Sequence, residues 1–328
     1  MKKNAAAEKD AQLFQHMQQA LLYHQFLLRD QVRNQLFYEA LRRTVTSETR
    51  VLDIGSGSGV WAIAAAKLGA RSVTAIESNP SMIPMIMAHA AENGVADRVE
   101  IINGFSRDIN LKYKYDVIVS ETIGNQAFEE DIIGTMVDAR ERFLAPDGAM
   151  IPQKVALMAA PAHLVSETET PVGVPVTTNY LKNLSINFTG RLAVKEDLEM
   201  LRSPAKLLEV DLRECEADQS LSGLSAEWEI DDRSRANVIA LSAESELVDG
   251  VILDTMKTLT WMPVVCRFRP FESGPGRLIF GLSVDEKQYH WTVRSGEEAQ
   301  QAYSPMFAYT KIKLDSQRAP RPRRARRR

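Results

Sequence analysis

Apolar side chains recur at three- and four-residue steps from residue 10 to residue 44. Leu13, Met17, Ala20, Leu21, Leu27 and Leu28 fall on one stripe, which predicts helix across the segment. From Arg50 the pattern changes. Short continuous apolar runs at Val51–Ile54, Ser72–Ile76, Val99–Ile102 and Tyr115–Val119 read as buried strands. Between and after them, Val60–Leu68, Met82–Asn93 and Ile132–Phe143 keep a helical period. Strands alternating with helices predict a parallel, doubly wound sheet, with ligands beyond the carboxyl ends of its strands. Pro146-Asp147-Gly148 and Pro152 read as the end of that pattern.

Beyond about residue 153 the runs are short, separated by turn residues, and without helical period. Val155–Met158, Leu207–Val210, Ala226–Ile230, Val238–Leu241, Val264–Phe268, Leu278–Phe280 and Tyr289–Val293 predict an antiparallel sandwich or barrel. Residues 165–200, with Pro171 and Pro175, read as an irregular stretch. The expected fold class is α/β: N-terminal helices (1–45), a Rossmann-like doubly wound domain (46–152), a β-barrel-like domain (153–315) and an arginine-rich tail (316–328).

Composition alters this picture at one place. The 328 residues carry a net charge of −3, yet Arg318–Arg328 reads RAPRPRRARRR and holds seven arginines; without them the remainder stands at −10. Such a tail is expected to be disordered; it can contact nucleic acid or another acidic surface, the acidic body of the chain included, or equally serve as a solubility tail with no partner. No apolar run approaches about 20 residues, so no membrane span is expected. The two cysteines, Cys215 and Cys266, have no metal-type spacing. They fit free thiols in a reducing cytoplasm, and no metal is expected.

The chemistry concentrates at strand ends. Val51-Leu52-Asp53-Ile54-Gly55-Ser56-Gly57-Ser58-Gly59 runs from a strand through a glycine-rich turn into a helix. A dinucleotide loop would read G-x-G-x-x-G, but here Val60 stands where the last glycine belongs. Asp53 would repel a diphosphate and suits an ammonium group. Glu77 closes the second strand, 24 residues on, where an acid accepts bonds from ribose hydroxyls. An amino-acid ammonium and a ribose without phosphate describe S-adenosylmethionine. At the end of the fourth strand comes Ser120-Glu121-Thr122-Ile123-Gly124, with Glu130 nine residues after Glu121. Two acids there can be a solvated loop and a favoured first helical turn, or two walls of a pocket for a cation.

Together, V-L-D-I-G-S-G-S-G, A-I-E and S-E-x-x-G with its second glutamate resemble the protein arginine N-methyltransferase family, as a divergent member. The similarity extends upstream to His24-Gln-Phe-Leu-Leu-Arg-Asp30-Gln-Val-Arg33 and downstream to Leu144–Gly148 and Ile151-Pro152. It is clear over about residues 14–155 and loose beyond. The resemblance implies a class I methyltransferase fold using S-adenosylmethionine. Arg33 would hold the cofactor carboxylate, His24 would line its pocket, and Gly55 and Gly57 would shape the loop. Glu77 would hold the ribose, and Glu121 and Glu130 would grip a guanidinium. It also implies a homodimer formed through an arm, for which 165–200 is the candidate.

This sequence departs from the family on the substrate side. Phe14 and Gln18 stand where the family has a tyrosine pair. Leu259-Thr260-Trp261 stands for its Thr-His-Trp loop, leaving Trp261 as the substrate-side aromatic and Asp30 without a histidine partner. Arg107 occupies the expected place of the adenine-side acid, so Ser106 is the candidate adenine contact. Three functions therefore stay open: transfer of methyl to arginine in a protein or peptide, transfer to a small molecule at nitrogen or oxygen, and cofactor binding without turnover.

Overall fold

The structure is a computed structural model that describes residues 15, 17–165, 176, 180, 185–192, 194–285 and 288–305. Phe14, the tail 316–328 and much of 165–200 lie outside the described residues.

The predicted long N-terminal helix is two. Helix α1 covers 17–28 and α2 covers Gln31–Thr44, with a turn at Arg29 and Asp30. Apolar periodicity runs through both, but Asp30 accepts the backbone N–H of Arg33 at 3.1 Å and so caps the start of α2. Phe37, Ala40 and Leu41 give α2 its buried face.

Five parallel strands follow: β1 Arg50–Ile54, β2 Ser72–Glu77, β3 Val99–Asn103, β4 Tyr115–Val119 and β5 Leu144–Ile151. They lie in the order β3-β2-β1-β4-β5. Helices α3 Val60–Lys67, α4 Ile83–Glu92 and α5 Ile132–Phe143 form the crossovers. The order reverses between β1 and β4, so the carboxyl ends of those two strands open the crevice where doubly wound folds bind ligands. β5 corrects the expectation that Pro146-Asp147-Gly148 ends the pattern. Tyr115 pairs with Leu144 and Val117 with Ala149, so an irregularity absorbs the intervening residues and the strand continues.

The remaining strands are antiparallel. β6 Lys154–Leu164, β7 Thr189–Arg191, β8 Leu198–Met200, β9 Ala205–Asp211, β11 Val238–Val248, β12 Val251–Asp254 and β13 Val264–Arg267 form a seven-stranded sheet around the long β6–β11 pair. β10 Leu224–Ile230, β14 Gly276–Asp285, β15 Gln288–Ser295 and β16 Glu298–Pro305 form a four-stranded one. The Trp291 indole on β15 donates to Thr189 Oγ1 on β7 at 2.9 Å, tying the two sheets together. β7 and β8 lie within the stretch read as irregular, so the described end of 165–200 belongs to the sheet and cannot all be arm. A single apolar cluster runs from Phe37 and the parallel sheet through Trp228, Trp261, Phe280 and Trp291.

Candidate functional site

The first turn after β1 is a tight cradle. Gly55 and Ser56 donate their N–H groups to the Ile76 carbonyl at 2.9 and 3.0 Å. Gly57 has φ +54, and a Cβ there would lie 2.4 Å from His24 Cε1. Only glycine lets the loop bend this way with the His24 ring pressed against it. Glu77 braces the same loop: one carboxylate oxygen accepts from Gly57 N–H at 2.8 Å, the other from Asn79 N–H at 2.7 Å. Asp53 is fully buried. Its Oδ2 accepts from Ala62 N–H at 3.1 Å, and its Oδ1 has no hydrogen-bond partner. Burial pushes this carboxyl up to about 7, partly offset by hydrogen bonds, with the charges of Glu77 and Glu121 adding to the rise. Ser106 is buried at the head of a turn after β3, where its carbonyl accepts from Arg142 at 3.3 Å.

Facing this cradle is Arg33, a buried cation at the junction of both halves of the chain. Its guanidinium lies between two indole rings, 5.4 Å from the Trp61 centroid and 5.7 Å from that of Trp261. Nη2 is ion-paired with Glu121, and Nη1 donates to the Leu27 carbonyl and Asn34 Oδ1 at 3.3 Å each. Nε is buried with no partner. The sequence placed Arg33 on the cofactor side and Glu121 on the substrate side; here the two are joined.

Asp30 fixes the other wall. Its Oδ2 accepts from the backbone N–H groups of Leu259 and Thr260 and from the Thr260 hydroxyl, each at 2.8 Å. The missing histidine is thus replaced by two amides and a hydroxyl, and the Trp261 loop stays pinned to α2.

Glu121 and Glu130 lie on the strained loop between β4 and α5, in which Ala127 and Asp131 have φ of 70° and 63°. Glu129 organises it, accepting from Asn125 N–H at 2.8 Å and Gln126 N–H at 2.6 Å. Gly124 is required there, since a Cβ would lie 2.8 Å from Glu129 Cγ. Burial pushes the Glu129 carboxyl up to about 7. Asn125 Oδ1 accepts from Met262 N–H at 3.1 Å, tying the acidic loop to the Trp261 loop. Arg107, at 2.8 Å from Asp131, holds the far end of the loop. Sequence reasoning missed Trp61, Glu129 and Thr260. Trp61 had a usable signal, two residues past Gly59, whereas no spacing in the sequence marked Glu129.

The residues fit a ligand that carries ammonium, carboxylate and ribose. Asp53 Oδ1 is an unpartnered buried acceptor, Arg33 Nε an unpartnered buried donor, and Glu77, at the end of β2, is bonded to the glycine loop at Gly57.

Comparison with known proteins points the same way. Residues 34–163 match the family described as ribosomal protein L11 methyltransferase (PrmA). A protein arginine N-methyltransferase PRMT10 from Oryza sativa subsp. japonica is 40% identical over 143 residues, 43% of this chain and 37% of its own length. Ribosomal protein arginine N-methyltransferase rmt3 of Schizosaccharomyces pombe is 34% identical over 152 residues, 45% of this chain and 28% of its own. The chain thus spans about a third of the length of these curated relatives. Two solved structures extend the likeness in fold. The Arabidopsis thaliana protein arginine methyltransferase 10 superposes with a TM-score of 0.71 at 21% identity, covering 87% of this chain and 98% of its own. The Trypanosoma brucei PRMT1 enzyme-prozyme complex with AdoHcy gives 0.70 at 22%, covering 86% and 97%. In sequence and in fold this chain resembles the protein arginine N-methyltransferases. The match to the PrmA family, residues 34–163, takes in the glycine loop and Glu77, and the likeness in fold to the two solved structures extends over most of the chain.

Two outcomes are expected. Glu121→Gln strands the Arg33 charge and should cost about 3 kcal/mol in urea unfolding, whereas Arg33→Met with Glu121→Gln should recover most of that loss. Asp53 holds its proton in the folded chain up to about pH 7 but releases it near 3.8 when unfolded. Its contribution to stability therefore falls as pH rises from about 4 to 7. Melting temperatures measured across that window should fall less steeply for Asp53→Asn, with the share due to Glu129 remaining.

Proposed function

We propose that this chain is an S-adenosylmethionine-dependent methyltransferase whose acceptor is an arginine guanidinium of a protein or peptide. One observation carries the reading: Glu121, at the carboxyl end of a central parallel strand, holds a guanidinium between tryptophan rings beside the glycine loop. That guanidinium is the chain's own Arg33, and the same chemistry suits a substrate arginine.

Asp53 would take the cofactor ammonium and Arg33 its carboxylate. Glu77 retains lone pairs for ribose hydroxyls beyond the two N–H bonds it accepts. His24, Gly55 and Gly57 would shape the pocket, and Ser106 would contact the adenine. When bound, S-adenosylmethionine supplies a methyl group carried on a cationic sulfur. Glu121 and Glu130 would offset the repulsion between that cation and the guanidinium, and orient one guanidinium nitrogen along the attack line. Trp261 would cover the guanidinium face. On this reading the Arg318–Arg328 tail is both a candidate acceptor and a contact for nucleic acid or another acidic surface.

The assembly we propose is a homodimer. Helix α1 leaves Leu21, Leu22, Phe26 and Leu28 exposed, which supports burial against a second copy. We also place the protein in the cytoplasm. Both thiols are free, and among the described residues no helix is long and apolar enough to cross a membrane.

Transfer of radiolabel from S-adenosylmethionine to arginine-rich peptides, to the tail peptide and to fractionated extract tests the acceptor. Label should appear on arginine and fall at least about 100-fold in Glu121→Gln and Glu130→Gln, with cofactor binding retained. Label confined to the small-molecule fraction would overturn the arginine reading. Light scattering on the eluting protein should give twice the monomer mass, and a monomer at micromolar concentration would refute the dimer.

A further inference from the structure

The last strand carries the chain out of the fold beside the acidic loop. Near the start of β16, Gln300 Oε1 accepts from Arg269 N–H at 2.8 Å, and its Nε2 donates to the Arg269 carbonyl at 2.7 Å, just past the end of β13. Two residues on, Ala302 pairs with Trp291, whose indole donates to Thr189 Oγ1, and Thr189 pairs with Cys266 of β13. β16 therefore runs back along β13, from its end toward its start. At about 3.3 Å per residue, the next steps carry Ser304 and Pro305 toward Val264 and the turn before it. That turn holds Met262, whose N–H is bonded to Asn125 of the acidic loop. The pairing of Ser304 with Tyr289 agrees: burial and the charge of Glu129 push the Tyr289 phenol well above its ordinary range.

A cation arriving there meets groups suited to it. Glu121 already holds one guanidinium, that of Arg33, between two indoles. Glu129 and Glu130 stand on the same loop. Gln126 on this loop is only 4% exposed, and its side-chain oxygen has no hydrogen-bond partner among the described residues. The sequence beyond Pro305 is complementary. Arg318 follows 13 residues later, and Arg318–Arg328 carries seven arginines against a remainder at −10. A segment of that length spans at most about 44 Å, and averages about 20 Å end to end when flexible. Tethering over such a reach gives an effective concentration on the order of millimolar.

We propose that Arg318–Arg328 folds back within its own chain onto the acidic loop, where its guanidinium groups compete with any other arginine for Glu121 and Glu130. This contact rests on the arginine-acceptor reading of the site and deepens it, since it names the first arginines the site meets. A tethered competitor raises the KM of every other acceptor. It leaves kcat unchanged, because a peptide that displaces the tail finds the same site. Salt weakens the hold, since most of it is charge. Strand pairing in β16 ends at Pro305, so substitutions from residue 318 onward leave every described strand intact.

The test compares the full wild-type chain with the full chain in which all seven tail arginines are glutamine. The probe is a fluorescent peptide of sequence RAPRPRRARRR, its binding read by anisotropy without cofactor. The glutamine-tailed chain should bind it about tenfold tighter at low salt, with the difference shrinking as salt rises. Hydrogen exchange over residues 121–131 should be slower in the wild type. Equal affinities, or equal exchange over that loop, overturn the contact. An isotope-labelled glutamine-tailed chain mixed with wild type should gain no protection; protection there places the tail on a neighbouring copy and overturns it as well. Methyl transfer to the peptide separates this contact from the reading it rests on, and its KM should fall about tenfold in the glutamine-tailed chain at unchanged kcat. Transfer with equal affinities removes the tail contact alone. A tail-dependent affinity and protection, with no methyl on arginine, removes the acceptor reading and leaves the contact standing.

Discussion

A buried guanidinium constrains everything around it. Arg33 lies in an apolar wall, where an uncompensated charge would cost several kcal/mol. Its charge is met by Glu121 from the end of β4, and its faces by Trp61 from α3 and Trp261 from the antiparallel half. Satisfying one side chain therefore fixes four segments relative to one another. Phe37 stacks on Trp61 with centroids 4.8 Å apart, carrying the constraint into the core of the first half. The acidic loop inherits this order: Glu121 is held at one end and Asp131 at the other, so the left-handed residues between them are kept in place.

The parts of this arrangement legible in the sequence are those encoded in local spacing. The glycine loop, Asp53, Glu77 and the alternation of strands and helices each lie within one βαβ unit, and they stand where the spacing puts them. What escaped depends on contacts distant in the chain. The break at Arg29 and Asp30 hides because the apolar stripe continues across it. β5 hides because Pro146-Asp147-Gly148 has the composition of a turn, while pairing with β4 tolerates an irregularity there. The partners of Asp30 include two backbone amides, and a backbone N–H carries no residue identity for a reader to find.

The substrate-side departures take on a physical meaning in this light. Losing the loop histidine removes a charge-capable partner, but Asp30 needs donors rather than a histidine, and Thr260 supplies one along with its own amide. The scaffold of the site is kept by different atoms.

Asp30 and Thr260 are 230 positions apart in the chain. A ribosome delivers residues in order, at about 5–20 per second. For many seconds the nascent chain holds Asp30 without Leu259 and Thr260 to donate to its Oδ2, although the parallel sheet is already available to fold. The lock on the site closes only when the second half emerges, so synthesis itself delays competence until most of the polypeptide exists.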